Sequence, residues 1–72
     1  MTNENEILEK TIFEFIKNRD NQNESTASRH IHRRFDIPIE QAEQFLITLS
    51  EKNLVEEFYD NEYQENRYTI KK

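Results

Sequence analysis

The chain has 72 residues, a formal net charge of −5, and neither cysteine nor glycine. We expect a chain of this length to form a single domain over residues 1–72. Such a domain buries only about 60% of the surface that it exposes when unfolded, which leaves little room for an enzyme cleft. The absence of cysteine excludes disulfides and thiolate metal sites, and is typical of a reducing cytoplasm. The negative charge opposes non-specific attraction to nucleic acid or anionic lipid.

The first ten residues, MTNENEILEK, are polar and more acidic than basic. They lack the basic stretch and following apolar stretch of a signal peptide, and no apolar segment of the chain has the length of a membrane span. We therefore expect a cytoplasmic protein without a membrane contact.

A first helix is predicted over about residues 4–18. Its apolar stripe has helical spacing and consists of Leu8, Ile12, Phe15 and Ile16. Ile7 and Phe13 fall on the flanks of this stripe, so they either widen the core face or contact another subunit. The second reading predicts a homodimer through the first helix. The polar run NRDNQNE at 18–24 predicts a loop after it.

A second helix is predicted over about residues 26–35. Ser25 or Thr26 can cap its start, because a hydroxyl in this position accepts a hydrogen bond from the first helical turn. The inward side chains lie four residues apart and are Ala27, Ile31 and Phe35.

A third helix is predicted over about residues 38–52. Pro38 suits a first helical turn and holds Ile37 extended, which enforces a break after the second helix. Asn53 can end the helix in the left-handed conformation that glycine usually adopts there. The side chains expected in the core are Ala42, Phe45, Leu46 and Leu49.

A β-hairpin is predicted over about residues 54–70. Two β-prone segments, LVEEFY and NRYTI, flank the turn-forming run DNEYQE. Because the chain lacks glycine, Asp60 and Asn61 are the residues expected to take left-handed backbone conformations in this turn. The predicted fold class is α+β, mostly α, with three helices followed by the hairpin.

The segment 31–55 resembles, without a gap, bacterial winged helix-turn-helix regulators of the multiple-antibiotic-resistance (MarR) and phenolic-acid-response (PadR) types. The apolar positions that carry the resemblance are Ile31, Phe35, Ile37, Leu46, Leu49 and Leu54. The run EKNLV is similar to the family's usual helix ending, and RYTI is similar to its second wing strand. Asp36 and Asn53 replace glycine-like positions, and His32 replaces a usual alanine. The resemblance implies a winged helix-turn-helix whose third helix enters the major groove.

The outward face of the third helix is acidic, although the resemblance implies side chains that reach phosphates and bases. The outward residues, which we predict to bind a partner, are Glu40, Glu43, Gln44, Ile47 and Glu51. Residues 35–66 contain nine acidic residues and one basic residue, a net charge of −8. This charge should repel DNA. An exposed aliphatic side chain among carboxylates, Ile47, is more typical of a protein contact.

The alternative is a surface that binds DNA. Glutamine on the third helix could pair with adenine, and arginines of the second helix and hairpin could contact phosphates. The residues that such a regulator would use are Arg29, Arg33, Gln41, Gln44 and Arg67.

We predict no catalytic, cofactor or metal site. His30 and His32 point about 200° apart around a helix, so they do not converge on a metal. The chain offers no cysteine nucleophile and no glycine loop for phosphate. The sequence therefore predicts a binding protein rather than an enzyme.

Three functions remain open. The first is a winged helix module that binds a protein through its acidic third helix and wing, in transcription regulation or a phage-like process. The second is a DNA-binding transcriptional regulator, dimeric through Ile7 and Phe13. The third is a DNA-mimic inhibitor whose carboxylates imitate phosphates. The resemblance favours the second and the charge favours the first and third; we favour the first.

Overall fold

The computed structural model describes residues 4–72. Helices α1 (Glu4–Asn21), α2 (Ser28–Phe35) and α3 (Ile39–Glu51) precede strands β1 (Val55–Asp60) and β2 (Glu65–Ile70). The predicted order and the mostly helical α+β class are confirmed. Helix α1 continues three residues beyond the predicted end, into the polar run. Within residues 4–72, no helix combines the length and the apolar composition needed to cross a membrane.

The start of α2 differs from the prediction. Neither Ser25 nor Thr26 caps this helix, which begins after Ala27, a residue whose own side chain makes no capping hydrogen bond. Thr26 is fully buried and pairs with Tyr68 instead: its N–H donates to the Tyr68 carbonyl at 2.9 Å, and the Tyr68 N–H donates to the Thr26 carbonyl at 2.8 Å. The predicted cap is wrong because this segment extends the sheet beside β2 before the helix begins.

Left-handed residues follow all three helices, with Asn23, at φ 63°, after α1. Asp36, with φ 56° and ψ 47°, follows α2, and Asn53, with φ 60°, follows α3 as predicted. In the hairpin turn the left-handed residue is Gln64, with φ 53°, rather than Asp60 or Asn61. The Asp60 carboxylate accepts hydrogen bonds from the two backbone N–H groups of residues 62 and 63, at 2.8 and 3.2 Å. This side-chain turn moves the left-handed position towards the end of the loop.

The core joins all three helices to the hairpin. Its buried residues are Ile12, Ile16, Ile31, Ala42, Phe45, Leu46, Leu49, Val55 and Tyr68. The four α3 residues predicted to be buried are therefore confirmed, with at most 9% of each exposed. Phe15 and Phe35 pack edge to face beside this cluster, with ring centroids 5.5 Å apart.

The two flanking side chains of α1 have different environments. Phe13 is partly buried and packs against the core, whereas Ile7 is 55% exposed. Phe13 therefore widens the core face. The predicted homodimer through α1 stays a prediction in which Ile7 is the accessible apolar residue.

The hairpin strands are antiparallel, with Val55 opposite Ile70 and Glu57 opposite Tyr68. Directly paired residues of antiparallel strands project from the same face of a sheet. Val55 and Tyr68 face the core, so Glu57 projects on the side of the sheet that packs on the helices. The register thus brings a carboxylate of β1 towards α3.

Leu46 provides a test of how α3 is rotated. Leu46→Ala is expected to lower the free energy of unfolding by about 2–5 kcal/mol, because it removes fully buried methyl groups and leaves a cavity. The matched control is Ile47→Ala, at a neighbouring position that is 44% exposed, with an expected change of about 0.5 kcal/mol. Urea denaturation measures both. Equal losses in the two variants would contradict this rotation.

Candidate functional site

All five α3 residues predicted to bind a partner are exposed: Glu40, Glu43, Gln44, Ile47 and Glu51. They lie on the helix face opposite the buried stripe. However, the structure does not bring the five together in one depression. Glu43 and Ile47 face the hairpin, Gln44 faces the start of α1, and Glu40 and Glu51 line neither of these depressions.

A depression of about 350 Å³ separates α3 from the hairpin, and we call it the acidic groove. It is lined by Ser28, Glu43, Leu46, Ile47, Glu57, Glu65, Asn66 and Tyr68. Three of these residues carry carboxylates, and none carries a positive charge. The charged side chains that line the groove around Ile47 are therefore all acidic.

Tyr68 is hydrogen-bonded to a carboxylate of the acidic groove. Its hydroxyl donates a hydrogen bond of 2.7 Å to the Glu57 carboxylate. Burial raises the pKa of Tyr68 above its usual value, and so do this hydrogen bond and the nearby charges of Glu57 and Glu43. Glu57 and Glu65 are counted from the sequence among the acidic residues of 35–66, but the predicted site does not include them. Glu57 could have been assigned from its cross-strand pairing with the inward Tyr68.

Arg29, a predicted DNA contact, is engaged by the hairpin. Its Nε donates to the Glu65 carboxylate at 2.9 Å, and this hydrogen bond raises the pKa of Arg29. Its guanidinium also lies 5.6 Å from the centre of the Tyr63 ring. The positive charge of Arg29 thus already has a carboxylate partner.

Arg67, a second predicted DNA contact, is buried, with 7% of its surface exposed. Its Nη2 donates to the Ser25 carbonyl at 3.0 Å, and its Nη1 lies 3.3 Å from a Glu65 carboxylate oxygen. The guanidinium lies 5.2 Å from the centre of the Tyr63 ring. Arg67 is therefore placed as a connection between β2 and the segment before α2, rather than as a surface contact.

Arg19 of α1 binds the same segment from the other side. Its Nη2 donates to the Ser25 carbonyl at 2.8 Å, and its Nε donates to the Thr26 hydroxyl at 3.1 Å. The Ser25 carbonyl consequently accepts hydrogen bonds from two guanidinium groups. We call this set of contacts, formed by Arg19, Ser25, Thr26, Arg67 and Tyr68, the arginine clamp.

The residues predicted to bind DNA line three different depressions. Arg29 and Arg67 lie near the hairpin turn, and Arg33, one turn further along α2, lies beside Phe15. Gln41 and Gln44 line a depression of about 330 Å³ between α1 and α3. The structure does not bring these five side chains together around one depression.

His30 holds the start of α2. Its Nδ1 accepts a hydrogen bond of 2.9 Å from the Ala27 N–H, and its Nε2 lies 3.5 Å from Nη2 of Arg19. Burial, together with the positive charges of Arg19, Arg29 and Arg67, lowers the pKa of His30 to about 4. Within residues 4–72, no group of three or more His, Asp or Glu side chains is placed to bind a metal ion.

The arginine clamp predicts unequal roles for Arg67 and Arg29 in stability. Arg67→Met is expected to lower the free energy of unfolding by about 1.5–3 kcal/mol, because it removes a charged donor from the partly buried Ser25 carbonyl. Arg29→Met makes the same change of side chain. It should have little effect on the free energy of unfolding, because the ion pair of Arg29 with Glu65 is exposed to solvent. Thermal unfolding of both variants measures the difference. A larger loss for Arg29→Met would contradict the assigned clamp.

His30 predicts a loss of stability in mild acid. The unfolded state takes up a proton near pH 6.5 and the folded state only near pH 4. The contribution of His30 to the free energy of unfolding is therefore fully present above about pH 6.5 and falls as the pH is lowered towards 4. His30→Gln retains a hydrogen-bond acceptor but does not titrate. Over this range the unfolding free energy of the native protein should fall more than that of the variant; parallel curves would contradict the assignment.

Comparison of the chain with protein families, curated proteins and solved structures gave no match. The candidate site is therefore defined by the contacts and charges of its own residues. The acidic groove combines one half-exposed aliphatic side chain with three carboxylates.

Proposed function

We propose that this protein is a winged helix-turn-helix module that binds a protein segment, rather than DNA, through the acidic groove. The order of three helices and a hairpin supports the assignment, and so does the tight left-handed turn at Asp36 between α2 and α3. In this proposal α3 is the recognition helix and the hairpin is the wing. The resemblance of 31–55 to MarR-type and PadR-type regulators supports the same fold.

The observation that carries the proposal is the charge of the acidic groove. Glu43, Glu57 and Glu65 line it together with Ile47. A phosphate backbone brought to this surface would place like charges close together while removing them from water, which is unfavourable in both respects. Glu65 is paired with Arg29 and Arg67, so the negative charge that has no cationic partner among residues 4–72 is that of Glu43 and Glu57.

The same features indicate the chemistry of the partner. Lysine or arginine side chains would complement the carboxylates of Glu43 and Glu57 and guide association, since opposite charges increase encounter rates and fix orientation. An apolar side chain between them would contact Ile47, whose exposed fraction is 44%. We therefore propose a cationic protein segment with a central apolar residue. A DNA mimic would require the carboxylates, but it would not require an exposed aliphatic side chain such as Ile47.

Duplex DNA at low salt tests the first part of this proposal. We expect the native protein not to bind labelled random duplex DNA. Glu40→Gln with Glu43→Gln and Glu51→Lys raises the charge of the α3 face by 4 and leaves the buried stripe unchanged. Binding that is weakened by salt should appear in this variant if the carboxylates cause the repulsion. Tight binding by the native protein, lost on replacement of Arg29 and Arg33 by Ala, would establish the regulator instead.

A peptide probe tests the second part. A short peptide of alternating Lys and Leu should shift the amide resonances of residues around Glu43, Ile47 and Glu57 in the isotope-labelled protein. A peptide of equal charge in which Ser replaces Leu should bind more weakly. Ile47→Asn should remove this difference between the peptides without unfolding the protein. Equal binding of both peptides, or shifts outside the acidic groove, would contradict the proposed recognition.

A further inference from the structure

A second charged surface lies on α2 about one helical turn along from the contact between Arg29 and the hairpin. Helix α2 contains no acidic residue and carries three arginines. Arg29 is paired with the hairpin, but Arg33 and Arg34 are both exposed. Among residues 4–72, Arg33 has no carboxylate within ion-pairing distance. Free guanidinium groups therefore remain on this side of the molecule.

These arginines surround an aromatic ring. A depression of about 380 Å³, which we call the basic depression, is lined by Phe15, Arg19, His30, Arg33 and Arg34. The partly buried Phe15 ring supplies apolar surface, and the Arg19 guanidinium lies 5.9 Å from its centre. The Arg34 guanidinium lies 5.2 Å from the centre of the Phe35 ring, which packs on Phe15. No carboxylate lines this depression.

We propose that the protein segment bound by the acidic groove is the basic depression of a second copy of this chain. This inference rests on the function proposed above and names its partner. The two surfaces are complementary in charge: one has Ile47 among carboxylates, and the other has Phe15 among guanidinium groups. Arginine forms strong paired hydrogen bonds with carboxylates, so this contact joins an apolar centre to a rim of ion pairs.

The geometry of such a contact determines the kind of assembly. The acidic groove and the basic depression have no lining residue in common, so one molecule can use both at once. A contact between two different surfaces of the same chain is heterologous, and it continues head to tail unless a ring closes. The association should grow with protein concentration beyond a dimer. It should weaken as salt rises, because its rim consists of exposed charges.

Two matched variants test this arrangement. Glu43→Gln with Ile47→Asn disables the acidic groove, and Arg33→Gln with Arg34→Gln disables the basic depression. All four positions are exposed, so both variants should keep the native circular dichroism spectrum. Sedimentation velocity at high protein concentration and low salt should show assembly of the native protein and a monomer for each variant alone. An equimolar mixture of the two variants should form a dimer and nothing larger.

The mixture distinguishes this contact from other ways of self-association. Each variant retains one functional surface. Once the two variants bind each other, both functional surfaces are occupied, so no further molecule can be added. Variants that remain assembled by themselves, or native assembly lost on Ile7→Asn, would overturn the proposal in favour of an α1 interface. A native protein that stays monomeric but binds the Lys and Leu peptide would overturn this inference alone. Failure to bind the peptide as well would overturn the proposed function.

Discussion

The bridge between Thr26 and Tyr68 is the interaction on which the candidate site depends. It fixes β2 beside the residues that lead into α2, and two guanidinium groups on the Ser25 carbonyl hold the same point from α1 and from the hairpin. Hydrogen bonds from charged donors to a partly buried carbonyl are stronger than neutral ones. Because the hairpin is attached there, its carboxylates lie across from α3 and form the second wall of the acidic groove.

The same contacts decide where positive charge is available. Arg67 is enclosed by the hairpin and the segment before α2, and its Nε is buried without an acceptor among the described residues. Such a group carries a desolvation cost, which the hydrogen bonds of its Nη groups and the Tyr63 ring offset. With Arg29 held by Glu65, the exposed guanidinium groups of α2 lie beside Phe15. Opposite charges are thus segregated on two surfaces.

Hydrophobic periodicity predicted the helices and the rotation of α3, because apolar spacing is a local property that burial enforces. Asn53 was predictable for a similar reason, since few residues besides glycine tolerate its φ. The position of Thr26 was not predictable, because a hydroxyl residue that suits a helix cap can equally enter a sheet. Its backbone pairing with Tyr68, which is distant in sequence, places it in the sheet. The burial of Arg67 depends on a carbonyl 42 residues away in sequence. The division of the α3 face between two depressions likewise requires the positions of α1 and the hairpin.

Amide hydrogen exchange of Thr26 and Tyr68 tests most directly whether the clamp holds the hairpin against the helices. Each of these N–H groups donates to the other residue's carbonyl. If the clamp is part of the cooperative fold, both amides should exchange only through global unfolding, at the rates of the core amides of α3. Rapid exchange of the Thr26 and Tyr68 amides while the α3 amides stay protected would show a detached hairpin, and would contradict the acidic groove as a preformed site.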